Sequence, residues 1–91
     1  MILGVFIKQP AEKLDYDFDY SEWLDSSDDI ASVDVSADTG ITVESNSIVG
    51  QRVKAYLSGG THGSTYKVEC TVTTDAGRIK QDEIKIKVKD F

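Results

Sequence analysis

Apolar and polar residues alternate along most of this 91-residue chain, and clusters of Gly, Asp and Ser separate the alternating runs. A repeat of two residues is that of a β-strand that buries one face. The pattern predicts about seven short strands and no helix beyond a single turn at 21–24. The runs are 1–9, 15–20, 30–35, 41–43, 52–57, 66–74 and 78–89. This spacing is typical of an all-β protein and predicts a single immunoglobulin-like antiparallel β-sandwich.

The stretch 57–66, Leu-Ser-Gly-Gly-Thr-His-Gly-Ser-Thr-Tyr, joins two of these runs and forms the predicted corner of the sandwich. Tyr66, at its exit, is expected to be a tyrosine corner whose hydroxyl bonds back to loop backbone near Gly63. Two further turn signals follow from composition. Asn46 and Ser47 are expected to interrupt the run that begins at 41, and Asp75-Ala-Gly77 is expected to close a tight hairpin.

The first nine residues form an apolar extended segment, and Pro10 follows them. A bare segment of high β-propensity with few charges is an aggregation hazard, so it must pair with another strand. Two alternatives are open: it is the first strand of the domain, or it is an extended N-terminal arm that adds to a neighbour's sheet. We divide the chain into an arm and hinge at 1–13 and a sandwich at 14–91. The arm residues expected at a partner interface are Ile2, Leu3, Val5, Phe6 and Ile7.

Two rows of like charge are expected to take part in the same interface. In 15–20 three aspartates alternate with three aromatic residues, which predicts an edge strand with an acidic outer face. The last run carries lysines at the same spacing. The rows are Asp15, Asp17 and Asp19, and Lys85, Lys87 and Lys89. Three arrangements of the two rows are open. The rows pair across adjacent strands of one domain, they pair across a subunit boundary, or each lies independently in solvent.

The sequence offers no recognisable catalytic motif. His62 is the only histidine, so one chain cannot form a two-His metal site, and this histidine lies in a Gly-rich loop where it is expected to be exposed. Cys70 has no partner for an internal disulfide and is expected to be a small buried hydrophobic residue. Aspartates at alternate strand positions lie about 6.6 Å apart, so they converge poorly on a calcium ion. We therefore expect no enzyme activity, no cofactor, and no catalytic or metal site.

The charge and the hydropathy of the chain limit the classes of partner and the location that we expect. A net charge of −6 argues against nucleic acid and against an anionic membrane. No run approaches the roughly 20 apolar residues of a transmembrane helix, and the first run lacks the basic start of a signal peptide. We expect a soluble protein that is made in the cytoplasm.

The motifs in residues 14–88 resemble those of small tail or neck proteins of tailed bacteriophages, usually labelled fibre–tail adaptor proteins. The resemblance begins with an alternating acid–aromatic opening and continues through the Gly-rich corner and the two strands after it. It departs from the family at Tyr56, where Trp is expected, and at Cys70, where a polar residue is usual. The matching residues are Asp15–Leu24, Asp29-Ile30, Leu57–Thr61, Gly63, Tyr66, Val68, Val72–Thr74 and Gly77-Arg78.

The resemblance implies a non-enzymatic structural virion protein in several copies. It would be made in the host cytoplasm and would lie in the neck or tail. Its partners would be other phage tail, neck or fibre proteins and copies of itself in a ring or other multimer, joined through the N-terminal arm and the sheet edges. The alternative is an immunoglobulin-like adhesion module that binds carbohydrate or calcium, with Trp23 and Tyr56 as the only candidate sugar-stacking residues.

Overall fold

A computed structural model describes residues 2–90, and within that range seven strands form two sheets that pack as a sandwich. One sheet has four strands in the order β1-β7-β6-β3, and the other has three in the order β2-β5-β4. The strands are β1 Ile2–Lys8, β2 Leu14–Asp19, β3 Ile30–Ala37, β4 Ile41–Val49, β5 Arg52–Gly59, β6 Thr65–Thr74 and β7 Ile79–Val88. The predicted all-β sandwich is confirmed, and the arrangement is compatible with an immunoglobulin-like domain. Among the residues described, there is no helix long and apolar enough to cross a membrane.

The core follows from the two-residue alternation of the strands. Every second residue of β6 is buried, and so is every second residue of β7 from Asp82 onward. The side chains of Phe18, Leu57 and Val68 are fully inaccessible between the sheets. Cys70 is buried among them, as predicted, and its burial raises the pKa of the thiol to about 11. At neutral pH the thiol is therefore protonated and inert.

The corner at 57–66 has the predicted tyrosine arrangement. The Tyr66 hydroxyl accepts a hydrogen bond of 3.0 Å from the backbone N–H of Thr61. The donor thus lies two residues before Gly63, the expected partner. Gly60 has a φ of 99°, and an added Cβ there would meet the Val88 side chain at 2.5 Å. Glycine is required here because the backbone both turns left-handed and passes close to the core.

One local prediction is wrong. β4 is not interrupted at Asn46 and Ser47 but runs on to Val49, with an irregularity between Val43 and Ser45 instead. The pairing continues because β5 offers an unbroken partner strand along this whole length. A bulge lets two neighbouring residues oppose one, so the strand changes phase without ending.

The loop 25–29 is exposed at every residue but one. Asp28 is buried, and its Oδ1 accepts hydrogen bonds from the backbone N–H groups of Asp29 at 3.0 Å and Ala76 at 3.1 Å. Hydrogen bonding, first from the Thr74 side chain, lowers the pKa of Asp28. The carboxylate therefore ties this loop to the β6–β7 turn.

β1 lies in the four-stranded sheet and pairs with β7 in parallel, from Ile2 opposite Glu83 to Lys8 opposite Val88. The segment therefore pairs within its own chain, the first of the two alternatives that the sequence leaves open. The division of the chain at residue 13 stays a prediction. Residue 1 and the side chain of Ile2 lie outside the part of the chain that is described.

Candidate partner interface

β1 buries its one charged residue and exposes most of its apolar residues. The Lys8 side chain is fully buried, whereas Val5 and Ile7 are 53% and 55% exposed. Leu3 and Phe6, also predicted at the interface, are both 38% exposed. An ordinary edge strand buries its apolar residues and places its lysine in water. This strand therefore presents an apolar surface that nothing within the described chain covers.

The buried ammonium of Lys8 is held by backbone carbonyls. Its Nζ donates to Gly59 O at 2.7 Å, to Gln9 O at 2.8 Å and to Pro10 O at 3.3 Å. Burial lowers the pKa of Lys8, and the charge of Glu12 acts in the opposite direction. Gly59 ends β5 in the other sheet, so this side chain joins the two sheets at one end. It also determines which face of β1 points outward, because a one-residue slip would put Lys8 in solvent.

The inward face of β1 packs on the neighbouring edge strand. The Phe6 ring meets the Tyr16 ring of β2 edge to face, with centroids 5.2 Å apart. Such aromatic pairs add about 0.5–1.5 kcal/mol to the effect of burial alone. Phe6 and Lys8 thus hold β1 in place, and Val5 and Ile7 are left on the outer surface.

The backbone of β1 also has an open side. Lys8 O accepts a hydrogen bond of 2.9 Å from Lys89 N–H, so the groups of Lys8 face the end of β7. The groups of Gln9 face the other way and are already occupied, because its N–H donates to Glu12 Oε1 at 2.7 Å and its carbonyl accepts from Glu12 N–H at 3.1 Å. Strand groups alternate in direction, so those of Val5 and Ile7 point to the open edge. A partner strand can therefore pair with a short stretch that ends at the Gln9 turn.

The predicted lysine row lies beside this surface. Lys85 and Lys87 are in register with Val5 and Ile7, respectively, on the same outer face of the sheet. Lys89 is exposed just beyond the end of β7. The outer surface at β1 and β7 is therefore an apolar pair beside a basic row.

The predicted aspartate row lies on the other sheet. Asp15 is 3.5 Å from the Lys54 ammonium, and Asp17 is 3.7 Å from the Arg52 guanidinium. Asp19 Oδ1 accepts a hydrogen bond of 2.9 Å from the Ser21 backbone N–H, and this bond lowers its pKa.

β2 is an edge strand as predicted, but its neighbour is β5 and not β7. Pairing of the aspartate row with the lysine row across adjacent strands of one domain is therefore wrong. Their pairing across a subunit boundary stays a prediction.

The residues proposed for a carbohydrate- or calcium-binding site do not come together in a site. The Trp23 ring is covered by the Arg78 guanidinium, 4.2 Å from its centroid, and its edge meets Tyr20. Tyr56 lies on the outer face of β5, opposite Asp15. Between residues 2 and 90, no three acidic, His or Cys residues are placed to hold a metal ion.

Sequence reasoning missed the inward polar residues. Lys8 and Asp82 both occupy inward strand positions where an apolar residue is expected, and Asp82 is buried 3.3 Å from the Lys80 ammonium. The alternation of β1 could have indicated Lys8, because it is in phase with Phe6. No local pattern predicts the carbonyl of Gly59, 51 residues away, that receives it.

Fold and surface together define a small all-β domain whose described residues include an edge strand with exposed apolar side chains. The family model described as "Podophage GP4 fiber-tail adaptor protein gp77" matches residues 8–87, which is most of the chain. The chain therefore belongs to this family of phage fibre–tail adaptor proteins and is a structural component of a phage tail, as its motifs predict. No curated protein matches the chain significantly in sequence. The match begins at Lys8, so the exposed residues of β1 lie before it.

Proposed function

We propose that this adaptor works without catalysis in the neck or tail of the virion. It joins the tail to fibres or to adjacent rings, in several copies, through β1 and the open sheet edges. It is made in the host cytoplasm and has no nucleic-acid or membrane partner. The rows at Asp15, Asp17 and Asp19 and at Lys85, Lys87 and Lys89 flank contacts with other subunits.

The observation that carries this proposal is the exposure of apolar residues in β1, a strand whose only lysine is buried. Two β-branched side chains lie in water while a lysine of the same strand is buried. Burying an ammonium is costly unless its hydrogen bonds are met, so the arrangement is favourable only with the three carbonyl acceptors in place. Such a strand supports a role in which its outer face is covered by another protein.

The proposal is tested by removing the apolar surface without disturbing the strand. The double variant Val5→Thr, Ile7→Thr keeps β-branched side chains and adds no charge beside Lys85 and Lys87. Binding to the tail and fibre proteins of the same phage is measured by co-purification and by titration. We expect affinity to fall at least about tenfold, because each replacement removes on the order of 1 kcal/mol of apolar burial.

Ile79→Thr is the matched control, because Ile79 is 71% exposed at the start of β7, a strand with a neighbour on each side, and lies outside the stretch of β7 that pairs with β1. It should bind as the unchanged protein does. Equal affinity of the double variant and the unchanged protein would refute the role of β1. Deletion of residues 1–9 is a poorer test, because it also removes Lys8 and uncovers Tyr16.

A further inference from the structure

The four-stranded sheet has two open edges that run in the same direction. β1 is parallel to β7, while β7 is antiparallel to β6 and β6 is antiparallel to β3. β3 therefore runs parallel to β1, at the opposite edge. A second copy related by rotation can place its β3 beside β1 as a parallel pair, so that the sheet continues from copy to copy. Such a head-to-tail contact can close into a ring.

The open side of β3 is defined by its hydrogen bonds. Asp38 N–H donates to Lys67 O of β6 at 2.9 Å, so the even-numbered residues of the strand face β6. By alternation, the backbone groups of Val33, Val35 and Ala37 face the open edge. The side chains of these three residues point inward and are only half-buried. A neighbouring strand would cover them and would also satisfy their backbone groups.

We propose that the open edge of β1 is occupied by β3 of a second copy, with Val5 opposite Asp34 and Ile7 opposite Ser36. In a parallel pair, one residue bonds to the two residues that flank its opposite partner. In this register Val5 bonds to Val33 and Val35, and Ile7 bonds to Val35 and Ala37. The five residues assigned above to the open edges of β1 and β3 all take part in this pairing. The pairing stops at Gln9, whose backbone groups are held by Glu12.

Side chains and charges agree with this register. On the inner face, the 38% exposed ring of Phe6 would lie beside Val35 of the second copy. On the outer face Lys85 is in register with Val5, so it would lie two strand spacings, about 9.6 Å, from Asp34 of the second copy. An extended lysine can span that gap across the small Val5 side chain. A two-fold contact between two β1 strands would instead bring two lysine rows towards each other.

The proposed contact between β1 and β3 of two copies is small, so the test needs a high protein concentration. One edge pairing falls below the roughly 1,000 Å² expected of a stable interface, so two copies associate weakly and a closed ring gains from repeated contacts. The inference rests on the proposed use of β1. It assigns the backbone edge to a second copy and leaves the outer face of Val5 and Ile7 to the tail or fibre protein.

Disulfide trapping tests the register directly. The double variant Ile7→Cys, Ser36→Cys is made in a Cys70→Ala background, and the purified chain is oxidised at high concentration. Within one chain the two positions are at opposite edges of a four-stranded sheet, roughly 14 Å apart, which is too far for a disulfide. Every cross-link is therefore between copies. We expect a ladder that extends beyond the dimer on a non-reducing gel, because each copy carries one cysteine at each edge.

The matched control is Ile7→Cys, Ser32→Cys, which joins the same strands four residues out of register. Its cross-linked yield should be at least about tenfold lower. Equal yields from the two variants, a dimer from Ile7→Cys alone as the main product, or no cross-linked species would each overturn the proposal. Val5→Cys, Asp34→Cys tests the same register at a second pair of exposed positions. This test uses only the purified chain. If no ladder forms but the Val5→Thr, Ile7→Thr variant loses its binding to the tail and fibre proteins, the pairing between copies is refuted and the adaptor role is not.

Discussion

The close approach of Gly60 to the core makes Gly60→Ala the most informative stability test. The new methyl group would lie 2.5 Å from Val88 Cγ2 and 3.1 Å from Ile41 Cδ1. Val88 is buried and β-branched, so its side chain has little freedom to move away. The variant also forces an L-residue into a backbone with φ of 99°. We expect both effects to reduce the free energy of unfolding.

Gly63→Ala separates these two effects. Gly63 has a similar φ of 87°, and nothing lies within 4 Å of an added Cβ. Both variants should lose about 1–2 kcal/mol from the left-handed backbone. Only Gly60→Ala should lose a further ~1–3 kcal/mol from overpacking. In a domain of this size that difference amounts to roughly 5–20 °C in Tm.

The measurement is urea and thermal unfolding of the two variants beside the unchanged protein, followed by far-UV circular dichroism. The m-values should agree among the three proteins, since the surface exposed on unfolding is the same. Equal loss of stability in the two variants would refute the reasoning. It would mean that the corner needs glycine at position 60 for its backbone alone, without a close contact to Val88.

Two further predictions concern single hydrogen-bonding side chains. Tyr66→Phe should lower Tm by several degrees, because it leaves the Thr61 N–H without its acceptor. Tyr56→Phe is the control at an exposed position and should leave Tm unchanged. Equal Tm values for the two variants would refute the tyrosine corner. Asp28→Asn should lower Tm at pH 7 but not at low pH. The pKa of Asp28 is lowered in the fold, so its contribution is present above about pH 4 and is lost as the pH falls through the folded pKa. A Tm difference that stayed constant between pH 7 and pH 2 would contradict this assignment.

Alternation predicted the strands whose two faces differ in composition. In β6 and β7 the inward residues Val68, Val72, Ile84 and Ile86 are all buried, and the edge position of β2 followed from its aspartates. These local patterns predict the strands because each side chain in them faces either the core or water.

What could not be predicted depends on distant partners. The continuation of β4 depends on β5, and the placement of the aspartate row opposite Arg52 and Lys54 depends on which strands are neighbours. Lys8 was missed for the same reason, because its burial is favourable only with the carbonyl of Gly59 nearby. In β1, the sequence pattern predicted the apolar residues Val5, Phe6 and Ile7, which are exposed, but not the strand against which they are held.

The parallel pairing of β1 with β7 has a consequence for synthesis on the ribosome. About 70 residues separate the two strands, so β1 leaves the ribosomal exit tunnel long before β7, the strand with which it pairs, has been synthesised. Closing so long a loop is slow and entropically costly, and β1 should be the last element to join the native sheet. During that delay, β1 of one nascent chain can pair with another chain on the same polysome. The yield of correctly folded adaptor should therefore fall as expression rises.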